Sequence, residues 1–537
     1  MLDDFDVITL ILLLFPFLMS IVMLTITGMV TESSRRKLAP VWRMVSLGVS
    51  MALFIVASMM FTGQIGGVDW TGIGFNEYEF LYQYEWISSL GITWQVGLDA
   101  LSFPMVWLTT FLLPVTIIAT WDEKKGAVYH PLILLMGATL LGVFVSLDLF
   151  MFYIFWELTL IPMFFLILKW GGKDRKYASQ KFFIYTFTAS VIMLLGLITM
   201  YFSMPSNTEI AMDNAGEYTG RTFDLLEITS IAQSANAGGI WLENLHLIIF
   251  AMLMVGFLVK LPAAPFHTWL PDAHVQAPTG GSMLLAGVML KMGAYGMFRI
   301  PATLFPHALE HFQFVLMLFG FVSLVYGAIV CLGQTNLKKM VAYSSVSHMG
   351  VILLGIASMQ PIGWAAALFM MFAHGIISPM LFAVCGAFKH HYHSMEIGAM
   401  RGMAKWSPYL AVYMMFAWMA SLGLPLLAGF VAELMVMIAF WPEYGWWILL
   451  PGAVLAITAA YYLWSMQRTI FEGGDDGQPP ESLNGETPPD ITLSENIGMI
   501  ILAIFTVIFG IFPFIALGMM DQWTVAFFEG VFNLGGI

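Results

Sequence analysis

The sequence predicts an all-α polytopic membrane protein with about 14 transmembrane helices, including two inverted five-helix repeats with broken helices. Hydrophobic residues make up 59% of the 537 residues and charged residues only 10%, which excludes an ordinary soluble domain. Apolar runs of about 20 residues, long enough to cross the hydrocarbon core, recur along the chain. Basic residues collect in alternate connections between these runs, as expected for a multi-pass protein.

The predicted helices follow one another along the whole chain. We predict membrane-spanning helices at residues 7–30, 41–61, 99–121, 128–147, 149–169, 181–203, 242–260, 280–300, 312–333, 340–359, 363–388, 408–440, 445–467 and 496–519. Because their number is even, both termini lie on the same side of the membrane. Asp3, Asp4 and Asp6 stand where a signal peptide would carry positive charge, so we expect the first apolar run to be retained.

The distribution of lysine and arginine orients the chain. Most of the 21 basic residues, Lys338 and Lys339 among them, fall in alternate connections, which the positive-inside rule assigns to the cytoplasm. Arg221 and Arg299 fall on the opposite side. A wrong number of helices would scramble this segregation, so we expect both termini to face outward.

Two of the predicted helices contain helix breakers beside a charged residue. Pro262 and Pro265 follow Lys260, and Pro425 precedes Glu433. Proline removes a backbone donor, and discontinuous helices of this kind line ion paths in transporters. The alternative is that prolines are simply frequent in membrane helices. The spacing of the breaks predicts N-terminal helices with an outer loop at 1–127, five-helix repeats at 128–300 and 301–470, and an acidic cytoplasmic loop with the last helix at 471–537.

Ionisable residues inside the predicted helices are the candidate site residues. A charged group at bilayer depth costs at least about 2.5–3.5 kcal/mol, so by default it marks a place where charge is handled. The candidates are Glu157, Lys260, Lys291, His348, His374 and Glu433. Acids, lysines and histidines together predict a proton or ion relay. Two alternatives stay open, because Lys260 is near enough to a helix end to snorkel and a lone membrane histidine is often a packing residue.

The remaining polar residues offer little to bind a cofactor or a metal. Cys331 and Cys385 are too few for an iron–sulfur cluster, which needs about four thiolates. Nucleotide and nucleic-acid motifs are not found. His267, Asp272 and His274 follow the first break without the spacing of a metal site. We therefore predict no cofactor and no metal in this chain.

The acidic loops account for the net charge of −13. We expect the outer connections 62–98 and 204–241 to be solvated loops, and the alternative is that either one folds over the outer surface. The cytoplasmic segment 472–492 is rich in Gly, Pro and acids and is expected to be disordered or a docked linker. Asp99 and Asp148 lie at predicted helix ends, where we expect them to be interfacial.

Several sequence segments closely resemble the antiporter-like subunit M (chain 4) of the respiratory complex I, or NADH-quinone oxidoreductase, family. The segments are FYIFWELTLIPMFFLILKWGG, VKLPAAPFHTWLPDAHVQAPTGGSMLLAGVMLKMGAYG, QTNLKKMVAYSSVSHMG, HGIISPMLF and LGLPLLAGFVAE, and the resemblance spans roughly 95–470. It implies that Glu157 is the glutamate of the fifth helix and Lys260 its partner on the broken seventh. It also implies Lys291 on the eighth helix, His348 and His374 connecting the halves, and Glu433 on the broken twelfth. Gln276 departs from the acid of many relatives.

The resemblance implies a proton-translocating subunit rather than a complete enzyme. Its implied partners are neighbouring antiporter-like subunits and a peripheral redox arm that holds the flavin, the iron–sulfur clusters and the quinone site. The implied location is an energy-transducing membrane, the plasma membrane of a prokaryote. Weakening of the Glu157–Lys260 pair would push a proton along Lys291 and the histidines towards Glu433.

Three other assignments are compatible with parts of the sequence. An Mrp-type cation/proton antiporter subunit shares the broken helices and the buried charges. The larger subunit L is disfavoured because the tail after residue 519 is short. A membrane haem protein would use His348 and His374 as axial ligands, and the buried lysines argue against it.

Overall fold

The computed structural model describes residues 7–123, 125–204, 221–234, 245–399, 401–471 and 489–532. Asp3, Asp4 and Asp6, most of the predicted loop 204–241 and most of the segment 472–492 lie outside these residues. Ten of the described helices are long and apolar enough to cross a membrane, and three further apolar helices are shorter. The all-α polytopic architecture is confirmed.

The N-terminal part combines helices with one β-hairpin. Its elements are α1 (Val7–Met29), α2 (Glu32–Phe61), β1 (Glu79–Ile87), β2 (Ile92–Leu98) and α3 (Phe103–Ala119). The strands are antiparallel and turn at Gly91, whose φ of 62° lies in the left-handed region that favours glycine. A Cβ there would lie 2.5 Å from the Arg221 carbonyl oxygen, so a side chain would also collide with the neighbouring segment. The connection 62–98, expected to be a solvated loop, therefore contains ordered structure.

A first run of five apolar segments follows. It comprises α4 (Tyr129–Val145), α5 (Leu149–Leu158) continued by α6 (Leu160–Trp170), α7 (Arg175–Ser203), the surface helix α8 (Leu225–Ser234), α9 (Leu245–Lys260) with α10 (Trp269–Gln276), and α11 (Thr279–Leu284) with α12 (Lys291–Met297). π-helical turns at Leu285–Met289 and Phe298–Ala302 extend the last segment. The fourth segment is interrupted between α9 and α10, where Pro262 and Pro265 were expected to break it.

A second run of five segments has the same order of whole and broken helices. After α13 (Pro306–His311) come α14 (Gln313–Leu332), α15 (Leu337–Ala357), α16 (Pro361–Tyr392), the short α17 (Met403–Trp406), α18 (Pro408–Ser421) with α19 (Ala428–Tyr444), and α20 (Leu449–Met466) with a π-helical turn at Gln467–Phe471. The predicted helix 408–440 is thus two helices, separated at Gly423–Pro425.

The C-terminal end differs from the prediction. The chain forms α21 (Leu493–Ile511) and α22 (Phe514–Phe532) where one helix at 496–519 and a short tail were expected. Pro513 is the reason, because the residue before a proline is driven out of the helical region, and Phe512 has φ −120° and ψ 60°.

The helices that carry the candidate residues form the centre of the molecule. The segment Thr279–Ala302, α15 and α16 are buried along nearly their whole length, whereas about two thirds of the apolar stretches of α1, α2, α20 and α21 remain uncovered. Exposed apolar side chains such as Ile11, Leu18 and Ile55 suit a lipid surface. Lys291, His348 and His374, which these three segments carry, are therefore shielded from lipid by other helices.

Candidate functional site

The first helix break holds Lys260 inside the protein. Lys260 is the last residue of α9, and its Nζ donates a hydrogen bond of 3.3 Å to Oγ1 of Thr159, the residue between α5 and α6. The ammonium also lies 5.3 Å from the ring centre of Trp156. Only 1% of the residue is exposed, so Lys260 does not snorkel to a surface.

Glu157 lies between these two contact residues, Trp156 and Thr159, in the sequence. It is half-buried on α5 and interacts electrostatically with Lys260. The described residues contain no Glu157–Lys260 ion pair of 4.0 Å or less. The expected acid–lysine pair is therefore an electrostatic coupling, and Thr159 is the hydrogen-bond partner of the lysine.

A π-helical turn positions Lys291. The turn Leu285–Met289 immediately precedes α12 and offers the carbonyl of Ala286, to which Lys291 Nζ donates at 2.5 Å. π-turns inside helices are frequent at functional sites because they release backbone groups from the regular ladder. The same Nζ lies 2.7 Å from Nδ1 of His374 on α16. Lys291 is completely buried.

Two glycines allow this close approach of α16 to the π-turn. A Cβ on Gly287 would lie 3.2 Å from the Gly375 carbonyl oxygen, and a Cβ on Gly375 would lie 3.0 Å from the Gly287 carbonyl oxygen. Larger side chains would push the two helices apart. The lysine–histidine contact therefore depends on small residues next to both partners.

The contacts of Lys291 and His374 continue through His348 to the second helix break. The rings of His374 and His348 are 5.4 Å apart between centres. His348 Nε2 lies 3.0 Å from the carbonyl oxygen of Ser421, the last residue of α18, and 3.7 Å from Oε1 of Glu433 on α19. The interruption after Ser421 leaves this carbonyl without a helical partner, so the break itself supplies the contact.

The carboxylate of Glu433 packs directly against the break. Gly423 has a φ of +82°, and a Cβ built on it would lie 2.3 Å from Glu433 Oε2. Only glycine leaves room for the carboxylate and adopts this conformation without strain. The glycine in the breaker sequence therefore has a specific function in positioning Glu433.

The structure thus brings four of the six candidates into one line of contacts. The line runs Lys291, His374, His348 and Glu433, and the Glu157–Lys260 group lies beside it. The two groups meet where α12 packs against the end of α9, since a Cβ on Gly293 would lie 2.6 Å from the backbone nitrogen of Leu261.

A buried ion pair at the start of α3 escaped the sequence analysis. Arg299 and Asp99 are hydrogen-bonded, with side chains only 3% and 0% exposed. Arg299 also donates to the hydroxyls of Tyr295 at 3.1 Å and Tyr78 at 3.3 Å. Asp99, expected at an interface, is buried. The four-residue spacing from Lys291 to Tyr295 to Arg299 places all three on one helix face and was the available signal.

Lys338 is a second omission. It was assigned to a cytoplasmic connection, but it is buried at the start of α15 and donates a hydrogen bond of 2.7 Å to the carbonyl of Ala277. Ala277 links α10 to α11, so this lysine joins the end of the first broken segment to the second run of helices. Hydropathy alone does not distinguish such a buried lysine from a loop lysine.

The residues considered for a metal site lie apart from one another. Asp272 forms an ion pair of 2.6 Å with Lys181 on α7. His274 stacks on Phe382 at 4.3 Å, and His267 packs against Tyr326. Each residue has its own structural partner, so these three do not form a metal centre.

Two carboxyls stabilise the first run at the start of α5. Asp148 accepts hydrogen bonds from the backbone of Phe150 and Met151 at the start of α5, and from Thr93 on β2. The backbone of Asp224 forms an isolated antiparallel β-bridge with that of Asp148, and the Asp224 carboxylate caps α8 by accepting a hydrogen bond from the backbone nitrogen of Leu226. Burial raises the pKa of both carboxyls, and that of Asp224 reaches about 6. Asp148, like Asp99, is buried in the protein at the end of a helix.

Comparison with known proteins places this arrangement in a known family. Residues 146–458, which include all six candidates, match the family described as NADH:quinone oxidoreductase/Mrp antiporter, transmembrane. The chain is 39% identical to the F(420)H(2) dehydrogenase subunit M of Methanosarcina mazei, over 82% of this chain and 85% of that protein. It is 37% identical to the NADH-quinone oxidoreductase subunit M of Rhodobacter capsulatus, over 87% of each.

A solved structure shares the fold. A chain of respiratory complex I from Thermus thermophilus with bound NADH superposes with a TM-score of 0.80, covering 97% of this chain and 99% of that chain at 24% identity. The helix arrangement described above is therefore that of a known membrane protein.

Proposed function

Because the chain belongs to the NADH:quinone oxidoreductase/Mrp antiporter family of transmembrane proteins, we propose that it is a proton-translocating membrane subunit of a quinone-reducing oxidoreductase complex. The resemblance found in the sequence to subunit M is confirmed by relatives that carry this name. One observation supports proton movement above all others, namely the line of buried titratable side chains from Lys291 to Glu433.

The contacts of this line suit proton transfer. The Lys291 amine is in hydrogen-bond contact with His374 Nδ1, so a proton can pass to the ring without leaving a polar partner. Nε2 of His374 has no hydrogen-bond partner among the described residues and is available to release a proton towards His348. His348 in turn faces Glu433, the terminal acceptor. A water between the two rings would complete the transfer over their 5.4 Å separation.

Glu157 and Lys260 control the loading of this line in our proposal. An ionised Glu157 favours the charged form of Lys260, and a change that weakens their coupling releases the proton towards Lys291. A shift of about 1.4 kcal/mol changes the protonation ratio tenfold, so small movements near Thr159 are sufficient. The driving energy comes from partner subunits through their effect on this coupling.

The helix order supports the proposed division of the chain. We assign 128–300 and 301–470 to two inverted five-helix units, because in each run the fourth apolar segment is the broken one. Residues 1–127 supply the N-terminal helices and the hairpin, and 471–537 supply the acidic cytoplasmic loop and the C-terminal helices. Lys260 ends the first half of one broken segment, and Glu433 lies on the second half of the other.

The redox chemistry belongs to partner subunits in this proposal. Flavin, iron–sulfur clusters and the quinone site would reside in a peripheral arm and neighbouring membrane subunits, as expected from the two separated cysteines of this chain. We place the complex in the plasma membrane of a prokaryote, as in the organisms of the two relatives named above, and the basic connections support both termini facing outward.

The contacts of the two histidines weigh against the haem alternative. One nitrogen of each ring is engaged, since His374 Nδ1 contacts Lys291 and His348 Nε2 faces the Ser421 carbonyl and Glu433, and the buried Lys291 beside His374 disfavours a haem there. The Mrp antiporter alternative shares the family and the relay, and the two relatives named above favour the oxidoreductase complex. Co-purification with iron–sulfur subunits separates these two assignments.

The test compares electron transfer with proton transfer in the assembled complex. We expect Glu157→Gln and Lys260→Ala, each in reconstituted vesicles, to lower the number of protons translocated per electron. Glu310→Gln, which removes an exposed acid of α13, is the control and is expected to pump normally. Undiminished proton translocation at normal electron flux in both variants would contradict the proposal.

A further inference from the structure

A cluster of metal-ligating side chains lies outside the relay, where α16 meets α21. His390 and His391 occupy the last turn of α16, and Glu495 lies in the first turn of α21. His390 Nδ1 is 3.0 Å from Glu495 Oε1, and His391 Nε2 is 2.8 Å from Glu495 Oε2. We call these three residues the α16–α21 cluster.

We propose that the α16–α21 cluster binds a divalent transition-metal ion, for which Zn²⁺ is the best match. Two imidazoles and one carboxylate are a ligand set that zinc takes in proteins, with a fourth position left for water. Calcium and magnesium prefer oxygen ligands and are disfavoured by the two histidines.

The geometry requires only a small adjustment to admit the ion. One ligand atom from each of the three side chains lies within 4.8 Å of the other two. In a tetrahedral zinc site with bonds of about 2.0–2.1 Å, neighbouring ligand atoms are roughly 3.3 Å apart. The contacts at 3.0 and 2.8 Å, one to each carboxylate oxygen, would open by a few tenths of an ångström as the imidazoles exchange their protons for the metal. The histidine nitrogens, which lie within 4.8 Å of each other, would close towards the same spacing by side-chain rotation.

The two histidines differ in exposure, so the cluster has one side open to an ion from solvent and one buried side. The His390 side chain is 42% exposed, so an ion can reach the cluster from solvent, whereas that of His391 is 3% exposed. The cluster also lies at a helix C-terminus, whose free carbonyls favour a cation. Glu495 is held by the backbone nitrogen of Thr492 at 2.9 Å, which fixes the orientation of its carboxylate.

The surroundings suggest a site of moderate affinity. A cavity of about 430 Å³ adjoins His390 and is lined by Asp122 and Glu123 but also by Lys125, Lys338 and Lys389. Asp122 accepts a hydrogen bond of 2.6 Å from Ser494, the residue next to Glu495. The lysines oppose a bound cation, so we expect weaker binding than in structural zinc sites.

A bound ion would also affect proton movement, an inference that rests on the proposed function. Zinc would join α21 to α16, the helix that carries His374, and would stand at the cavity that reaches Lys338. We therefore expect zinc to slow proton translocation by restricting this end of α16.

Zinc counting on the intact complex tests the site. The purified complex is stripped with a chelator, equilibrated with Zn²⁺, and its metal content is measured by mass spectrometry. His390→Gln is the main variant because this side chain is 42% exposed and glutamine keeps a polar group beside Glu495, and Glu310→Gln, which removes the partner of His307, is the matched control. We expect one zinc less per complex in His390→Gln than in the wild type and the control. Equal zinc contents in all three would overturn the site.

Proton translocation in vesicles tests the consequence separately. We expect His390→Gln to need a zinc concentration more than 10-fold higher for the same inhibition, since loss of even an outer-shell partner costs about 10–100-fold in affinity. Equal zinc sensitivity of the wild type and the variant, together with the loss of one zinc, would overturn the inhibitory role and leave the metal site standing. Failure of the zinc-free wild type to translocate protons would instead count against the proposed function.

Discussion

Replacement of Lys291 by methionine is the most direct perturbation of the relay. Methionine has a similar length, fits a buried site and carries no exchangeable proton. The substitution removes the contacts of the amine with the Ala286 carbonyl at 2.5 Å and with His374 Nδ1 at 2.7 Å. It leaves the other members of the line unchanged in sequence.

The magnitude follows from these two contacts. The orphaned carbonyl and ring nitrogen cost about 1–3 kcal/mol each, while removal of a buried ammonium recovers part of this free energy. We therefore expect the subunit to fold and assemble. A hydrogen bond to a charged group contributes about 1.5–3 kcal/mol, so its loss lowers the population of the transfer-competent state roughly 10- to 150-fold.

The assay measures proton uptake and quinone reduction in the same vesicles. Leu290→Met is the matched control, because it places a methionine at the neighbouring, equally buried position of the same segment. We expect the control to pump normally and Lys291→Met to lose at least 10-fold in protons translocated per electron. Normal coupling in an assembled Lys291→Met complex would refute the role of Lys291 in the relay.

Two further predictions concern Gly423 at the second helix break and Asp224 at the start of α8. Gly423→Ala places a Cβ 2.3 Å from Glu433 Oε2 at a φ of +82°, so we expect it to lower the free energy of unfolding by at least about 1–2 kcal/mol and to reduce proton translocation. Gly445→Ala is the control, because Gly445 also has a positive φ but open space around it. Equal proton translocation per electron in the two variants would contradict the reasoning. The raised pKa of Asp224 predicts stability that is full below pH 3.8 and falls, by up to about 3 kcal/mol, as the pH rises to about 6, because the unfolded chain ionises first. Hydrogen exchange of α8, corrected for intrinsic rates, should show this loss in the wild type and not in Asp224→Asn, and equal pH dependence would contradict it.

The helix breaks and the buried charges could be predicted from the sequence because each depends on local chemistry. Proline and glycine interrupt a helix wherever they stand, and an ionisable residue within 20 apolar residues is buried by the membrane itself. Lys260 and Glu433 were therefore found beside their breaks before any contact was known. Pro513 obeys the same rule, and the prediction of a single helix at 496–519 was wrong because the apolar run continues across this proline.

Contacts between distant segments could not be predicted in the same way. Asp99 and Arg299 are each compatible with an interface when considered alone, and only the packing of α3 and the hairpin against the segment Thr279–Ala302 buries them as a pair. Lys338 was placed in a connection because its neighbours are polar, yet it reaches the carbonyl of Ala277. The ordered hairpin at 79–98 and the α16–α21 cluster also depend on residues far apart in the chain.

The sequence alone determined the membrane class, the broken helices and the identity of the six candidate residues, since hydropathy and backbone chemistry act over a few residues. The tertiary structure decided which of them touch. Lys291 reaches His374 because Gly287 and Gly375 let two helices approach closely, and His348 reaches Glu433 because the break after Ser421 opens beside it. Hydrogen bonds and proton transfer act over about 3 Å, so the order of the relay depends on helix packing rather than on spacing along the chain.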